Sequence, residues 1–279
     1  MPAPSLKRRV AAIAFLFITS FTVLAATPQE EAFLKVWGTH VRNQRDHTLV
    51  IEACQSVMDK ASTLGDFLPA VKTLAAWHLL AAGKQADATR IFESALTTEK
   101  AAKPIVRYAD TLARRWLTRL DHAQTEKTLK AYYTDNVEYP SSLAPLLNLP
   151  AGQAPPKTDR FGDPWVYATE EFGKIKGLKN QRFTLYSKTI GKKLTSLRAL
   201  PLDAYGGQKS ASIVARKTSA PLSVEFETVT ESGTQRGVAT ESGLINGIRF
   251  LRLDSDNRFA LMIDIECDFW VVATPARSR

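Results

Sequence analysis

The chain has 279 residues, 44% of them hydrophobic, and a formal net charge of +9 at pH 7. Its two cysteines, Cys54 and Cys267, lie far apart, which excludes the Cys-x-x-Cys spacing of a dithiol redox motif or a zinc site. The lysines are scattered and no nucleic-acid-binding motif occurs, so the basic charge does not predict binding to nucleic acid.

The N-terminal segment has the pattern of a secretory signal peptide. Lys7, Arg8 and Arg9 precede an apolar run from Val10 to Leu24, and Ala25-Ala26 supplies the small residues of a cleavage site. We therefore predict a signal peptide over residues 1–26 and an exported protein in the periplasm or cell envelope. The apolar run is shorter than the roughly 20 residues of a membrane span. No membrane span is expected after cleavage, and an uncleaved anchor is the alternative.

Residues 27–103 are predicted to form a helical domain. Apolar residues recur at helical spacing in four segments, which are residues 31–40, 48–61, 67–83 and 86–97. Pro69 suits the first turn of the third helix, and Gly83 suits its C-terminal cap. The last two segments resemble one tetratricopeptide hairpin, with small residues at the helix crossing and Phe92 filling space. A plain helical bundle is the alternative.

Residues 104–203 are predicted to contain one long helix followed by an antiparallel pair of strands. Pro104 begins the helix, and Pro140 prevents it from continuing beyond about residues 133–136. A short helix follows over residues 143–147. Aromatic residues then alternate around Trp165 and Tyr167, and again over residues 183–187, with glycines in the connection between them.

Three segments carry a resemblance to a known family. They are Tyr139-Pro140-Ser141-Ser142-Leu143, the run from Asp159 to Tyr167, and Phe183-Thr184-Leu185-Tyr186-Ser187. In this order they resemble the globular head of the major pseudopilin of type II secretion systems. That resemblance implies a non-enzymatic assembly fold outside the cytoplasm, in which the strands pack on the long helix.

The chain departs from this family at three places. Phe161-Gly162 stands where the family has Trp-Gly, and the apolar filament helix at the N-terminus is missing. The family's acidic calcium loop corresponds here to Lys188-Thr189-Ile190-Gly191-Lys192-Lys193, which is basic. Because calcium prefers several carboxylate oxygens, we do not expect a calcium site.

Residues 204–279 are predicted to form a small β-rich module or an extension of the pseudopilin-like sheet. Residues 202–209 suit a linker, and residues 223–229 alternate cleanly as a strand. Residues 244–253 and 258–265 flank a turn at residues 254–257, and residues 269–273 add a further strand. The predicted fold class is thus α+β, with a helical domain, a long helix, an antiparallel sheet and a C-terminal β module.

The sequence offers no recognisable catalytic arrangement. The histidines, which are His40, His47, His78 and His122, lie outside any His-Glu-x-x-His motif, and no Gly-x-Ser-x-Gly elbow occurs. We predict a protein that is not an enzyme and that has no catalytic residue, no cofactor and no metal. A Cys54–Cys267 disulfide is possible for an exported protein, although a buried free cysteine is common.

Two functions remain open from the sequence. The first is a structural or adaptor protein of a type II secretion or type IV pilus-like assembly, with a protein partner. Its candidate contact residues are Tyr132, Tyr133, Trp165 and Tyr167, for which packing in the core is the competing role. The second is a stand-alone exported protein that binds a peptide or a glycan and reuses the pseudopilin head fold.

Overall fold

The computed structural model describes residues 27–60, 62, 64–98, 103–150, 152–175, 178–199, 210–217, 223–230, 233–240, 243–245, 247–253 and 258–275. The predicted signal peptide, the predicted linker and the predicted turn at residues 254–257 lie outside these ranges. Within them the fold is mixed α+β, with a helical N-terminal part and a β-rich C-terminal part.

The helices of the described residues are α1 Pro28–Arg42, α2 His47–Met58, α3 Leu68–Ala81, α4 Gln85–Ser94, α5 Pro104–Asn136 and α6 Ala144–Leu147. Thr27 and Glu30 form a capping box at the start of α1, in which each side chain accepts a hydrogen bond from the other residue's backbone N–H. Gly83, at φ +77°, ends α3 as predicted. The N–H of Gly83 donates to Leu80 O, and the N–H of Lys84 donates to Leu79 O, in the last turn of the helix.

The strands are β1 Val166–Ile175, β2 Leu178–Tyr186, β3 Ser210–Lys217, β4 Ser223–Thr230, β5 Gly233–Thr240, β6 Leu244–Ile245, β7 Ile248–Leu253, β8 Ala260–Asp264 and β9 Phe269–Pro275. β1 and β2 form a two-stranded antiparallel sheet. The other strands form a second sheet in the order β5-β4-β3-β9-β8-β7-β6, antiparallel except for the parallel pair β3 and β9. The C-terminal strands therefore do not extend the β1–β2 sheet.

The larger sheet is curled, so that its end strands β5 and β6 contact each other. Gly243 N–H donates to Thr240 O at 2.8 Å, and Phe250 N–H donates to Gly243 O at 3.1 Å, where the two ends meet. The concave face encloses one apolar cluster, whose buried members are Ile213, Val224, Phe226, Ala239, Ile248, Phe250, Ala260, Met262, Val271 and Ala273. Closure of this kind covers sheet edges that would otherwise invite pairing with other chains.

The convex face of β7, β8 and β9 packs against the helices. Its side chains, among them Leu261, Ile263 and Trp270, belong to the same hydrophobic core as α1 to α4 and the N-terminal half of α5. Trp270 Nε1–H donates to Thr73 Oγ1 of α3 at 2.9 Å, which satisfies both polar groups inside this core. Residues 27–103 and 204–279, assigned to separate domains from the sequence, therefore share one hydrophobic core.

The long helix α5 joins this core to the small β1–β2 sheet. Its N-terminal half lies in the shared core, whereas Leu129 packs with Leu146, Trp165 and Leu185 in a separate small cluster. Helix α5 begins at Pro104, as predicted, and ends at Asn136, where Val137 adopts the left-handed conformation with φ +60°. Both sheets thus pack against this 33-residue helix.

Two details differ from the sequence predictions. Residues 244–253 form two strands because Gly247, at φ +74°, makes a turn between β6 and β7. Trp165 precedes β1 instead of lying within it. The sequence left a Cys54–Cys267 disulfide and a buried thiol open; in the structure Cys54 is buried inside α2 and forms no disulfide with Cys267, which lies in the turn between β8 and β9.

None of the helices in the described part of the chain is both long enough and apolar enough to cross a membrane.

Candidate functional site

A groove follows the C-terminal half of α5. Its volume is about 490 Å³, and its lining residues are Gln124, Lys127, Thr128, Ala131, Tyr132, Asp135, Leu149, Gly152 and Gln153. The α5 residues in this set recur every three or four positions, which places them on one helical face. The opposite wall comes from the loop that follows α6. The groove thus combines an apolar floor with one basic and one acidic side chain.

Of the predicted contact residues, Tyr132 lines this groove and is half-buried. Trp165 is only 7% exposed, and its Nε1–H donates to Pro156 O at 3.1 Å. Tyr167 donates its hydroxyl to Pro140 O at 2.8 Å, and burial raises its pKa to about 12. Tyr133 packs on the ring of Tyr139 at 4.6 Å. Trp165 and Tyr167 therefore hold the sheet on α5, which leaves Tyr132 as the contact candidate with a groove beside it.

Hydrogen bonds hold the turn at residues 159–163 and join it to Ser187 and Thr189, which follow β2. Asp159, 3% exposed, accepts from the N–H groups of Phe161 and Asp163 through Oδ1 and from Ser187 Oγ–H at 2.6 Å through Oδ2. Asp163 Oδ2 accepts from Thr189 Oγ1–H at 2.7 Å.

Lys188, Lys192 and Lys193 are exposed in the loop that corresponds to the family's calcium site. The carboxylates therefore already have donors, and the added charges are positive. This donor set does not fit calcium, and no group of ligating side chains suited to a metal ion occurs among the residues that the structure describes.

A buried group of charges connects α5 to the turn between β8 and β9. Asp268 forms ion pairs with Arg115, at 2.5 Å, and with Arg119, whose side chain is fully buried. Arg119 Nε–H also donates to Leu194 O at 2.8 Å, and Trp116 Nε1–H donates to Asp268 O at 3.2 Å. Burial lowers the pKa of Arg119, while the Asp268 carboxylate raises it again in part. These contacts fix the relative positions of α5 and β9.

A chain of three imidazoles lies at the junction of α1, α2, α3 and β9. His78, on α3, is the middle member. Its Nε2 lies 3.0 Å from His40 Nδ1, and its Nδ1 lies 2.9 Å from His47 Nδ1. His40 and His78 are fully buried, whereas His47 is partly exposed. We call this arrangement the imidazole chain.

Aromatic side chains surround the imidazole chain. The ring of Trp37 lies 4.9 Å from that of His40, and Trp77 lies 6.1 Å from His47. Phe269 of β9 contacts both His40, at 5.6 Å, and Trp77, at 5.1 Å. Burial, and to a smaller extent the charge of His47, lowers the pKa of His40 to about 4. Burial, with smaller contributions from His40 and His47, lowers that of His78 to about 3.

Sequence reasoning treated His78 as a packed helical residue, and its burial agrees with that interpretation. It did not bring His78 together with His40 and His47, because these residues are 38 and 31 positions away and meet only through tertiary packing. His122, the fourth histidine, lies on α5 with Nε2 3.0 Å from Leu185 O. No local pattern of residues around any of the three would have indicated the chain.

Comparison with protein-family models, with curated proteins and with solved structures found no match to this chain.

Proposed function

We propose that this protein is an exported, non-enzymatic adaptor that docks on a type II secretion or type IV pilus-like assembly. The observation that supports this function is the packing of the pseudopilin-like segments into one unit on α5. Tyr139, Trp165 and Leu185, one from each of the three segments, belong to the same small cluster, together with Leu129 of α5. The three segments that resemble the family in sequence order therefore pack together on α5.

The groove along α5 is the surface that we assign to the partner. Tyr132 presents an aromatic ring with a polar tip there, a combination that is enriched in protein interfaces. Lys127 and Asp135 lie two turns apart on the same face. An α-helix or an extended segment with an apolar centre and charged groups of opposite sign at its ends would complement this face.

The shared core of the helices and the larger sheet would serve as the support for this docking unit. A rigid support reduces the conformational entropy that is lost on binding. The exported location rests on the N-terminal pattern of residues 1–26, and the secretion assembly rests on the pseudopilin resemblance, so both belong to this proposal.

The stand-alone binder is the second candidate, since a second groove lies between α2, α3 and α4. Its volume is about 240 Å³, and it is lined by Thr48, Ile51, Glu52, Gln55, Leu79, Lys84, Asp87, Arg90 and Ile91. Charged groups of both signs suit a peptide. Its lining residues include no aromatic ring, which glycan binding would favour, so we rank this function below the adaptor.

The test is affinity capture of partners from the source cell envelope with the mature chain, residues 27–279, as bait. Recovery of secretin, pseudopilin or pilus-assembly components by the wild-type bait, identified by mass spectrometry, is the expected result. The Lys127→Glu and Tyr132→Ala variants should lose these components, because both residues line the α5 groove.

Lys130→Glu is the matched control, since Lys130 is exposed on the same helix outside the groove lining. A folded wild-type bait that recovers none of these components would refute the adaptor function. Peptide and glycan binding would then be measured with the same protein.

A further inference from the structure

The imidazole chain can hold only a limited number of protons in the observed geometry. Each N···N contact requires one hydrogen between its two nitrogens, and His78 takes part in both contacts. With three neutral rings, His78 donates in one contact and accepts in the other. One additional proton can be placed without breaking either N···N contact, because the outer Nε2 atoms of His40 and His47 can then both carry hydrogen.

A second additional proton cannot be placed in this geometry. One of the two contacts would then have a hydrogen on both nitrogens, which breaks it, and two imidazolium rings would lie side by side. Neighbouring like charges in a buried site are strongly disfavoured. Uptake of the second proton therefore has to be accompanied by separation of the rings.

We propose that the imidazole chain is an acid-sensitive latch, which holds α1 and α2 against α3 and β9 while neutral and releases them on uptake of a second proton. This inference does not depend on the proposed adaptor function. It rests on the two N···N contacts, on the complete burial of His40 and His78, and on the ring of Phe269 that packs over the chain from β9.

The carboxylates next to His47 and Phe269 in the sequence are engaged with other groups. On α2, Asp46 Oδ1 accepts from Leu49 N–H at 3.0 Å as the helix cap. Beside β9, Asp268 is paired with Arg115 and Arg119. The charges that act on His40 and His78 come from the other members of the chain, and each of them disfavours protonation. Among the described residues, no carboxylate contributes to either shift.

The direction of the pH dependence follows from these shifts. In the closed state the pKa values of His40 and His78 are lowered from 6.5 to about 4 and about 3. The open state has the higher pKa values and binds more protons below pH 6.5, so acid favours opening. The closed state is thus fully stable above pH 6.5 and loses stability as the pH falls towards 4.

Opening would separate an aromatic cluster instead of exposing a single side chain. Trp37, Trp77 and Phe269 are each at most 9% exposed in the closed state, and they contact one another through the chain. Acid release would therefore expose apolar surface at the junction of the helices and the sheet, while the β1–β2 unit on α5 keeps its own separate core.

Hydrogen–deuterium exchange with mass spectrometry on the full mature chain tests the latch. Exchange would be followed from about pH 7.5 to about pH 4.5, corrected for the intrinsic rate, in peptides from α1, α2 and β9. The net uptake of two protons predicts that the opening equilibrium rises about 100-fold per pH unit below pH 6. Peptides from β1 and β2 serve as the internal reference, because they belong to the other cluster.

The His78→Phe variant removes both N···N contacts and one of the two groups that the closed state keeps neutral, so only His40 remains to take up a proton on opening. The net number of protons taken up on opening falls to about one. The opening equilibrium should therefore rise only about tenfold per pH unit as the pH falls. His78→Gln is the second variant, chosen because glutamine can hydrogen-bond inside the core but does not titrate. Only His40 then takes up a proton on opening, and the same reduction to about tenfold is expected.

The His122→Gln variant is the matched control, since His122 contacts Leu185 and takes no part in the chain. In this variant the opening equilibrium of α1 and α2 should rise with falling pH as steeply as in the wild type. Circular dichroism at pH 7.5 would verify that each variant is folded, and His78→Gln decides the test if His78→Phe is not. A wild-type protein without acid-induced opening, or a folded His78 variant as steep as the wild type, would overturn the latch.

Discussion

Arg119 of α5 and Asp268 beside β9 form an ion pair in which the arginine is fully buried and the aspartate is 3% exposed. The pair joins the long helix to the last strand of the curled sheet, across 149 residues of sequence. Asp268 adopts φ +50°, a conformation that Asp and Asn tolerate better than most residues. The positive φ of Asp268 thus helps to form the turn. From this turn the Asp268 carboxylate faces two arginines.

The Asp268→Asn substitution should destabilise the protein by about 3 to 5 kcal/mol, because it leaves the Arg119 guanidinium buried without an anion. Asparagine keeps the size of the side chain and the tolerance for positive φ, so the loss reports the charge. Urea denaturation at pH 7.5 measures the free energy of unfolding.

Glu170→Gln provides the control for Asp268→Asn. Its partner Arg182 is 67% exposed, and a surface pair of this kind contributes about 0 to 1 kcal/mol. Equal losses from both substitutions would show that burial of Arg119 does not determine the strength of its pairing.

Substitutions of Trp165 and Tyr132 should distinguish an effect on folding from an effect on partner binding. Trp165→Ala removes the largest side chain of the small cluster and a hydrogen bond to Pro156 O, so a loss of about 3 to 5 kcal/mol in unfolding free energy is expected. Tyr132→Ala, half-buried at the edge of this cluster and on the wall of the groove, should cost less, about 1 to 2 kcal/mol. Thermal unfolding followed by tryptophan fluorescence and circular dichroism checks both values.

A Tyr132→Ala variant that loses as much stability as Trp165→Ala would contradict this separation. Tyr132 would then contribute as much to the packing of the unit as Trp165 does, and its effect in the capture experiment would report folding instead of contact with a partner.

The extent to which the sequence predicts this fold differs between elements for physical reasons. Helix α5 was predicted well, because Pro104 begins it and Tyr139-Pro140 prevents its extension. Strand β5 was not predicted, since most of its side chains are polar and exposed at the end of the sheet, so hydrophobic alternation is weak there. Local patterns specify where elements begin and end, but they carry little information on end strands.

The candidate sites show the same limitation at the level of side chains. An aromatic residue such as Trp165 can pack or bind, and only the tertiary structure distinguishes the two roles. His40 and His78 lie on apolar helical faces, as many buried histidines do. Their alignment depends on how α1 crosses α3, which periodicity along one helix does not specify.

Val137 should be a position at which a single substitution increases stability. It ends α5 in the left-handed conformation at φ +60°, although it is β-branched, and its side chain is 45% exposed. Glycine removes the steric cost at this position, which is about 1 to 2 kcal/mol for a residue with a Cβ. The greater backbone freedom of glycine in the unfolded chain offsets part of this gain.

We therefore expect Val137→Gly to raise the unfolding free energy by about 1 kcal/mol, measured by urea denaturation. Val137→Ala is the matched control, since it removes the branched side chain but keeps the Cβ, and it should recover less than glycine does. A destabilised glycine variant would show that the side chain of Val137 contributes packing that its exposure does not suggest.

The two cysteines should differ sharply in reactivity. Cys54 is fully buried in α2, and burial raises the pKa of its thiol to about 12, so little thiolate exists at pH 8. Cys267, in the turn between β8 and β9, is partly exposed. Alkylation of the native protein with iodoacetamide at pH 8, followed by intact-mass measurement, should therefore label one thiol. The same reaction in guanidinium chloride should label both. Labelling of neither thiol in denaturant, with full labelling after reduction, would instead show that the protein forms the Cys54–Cys267 disulfide.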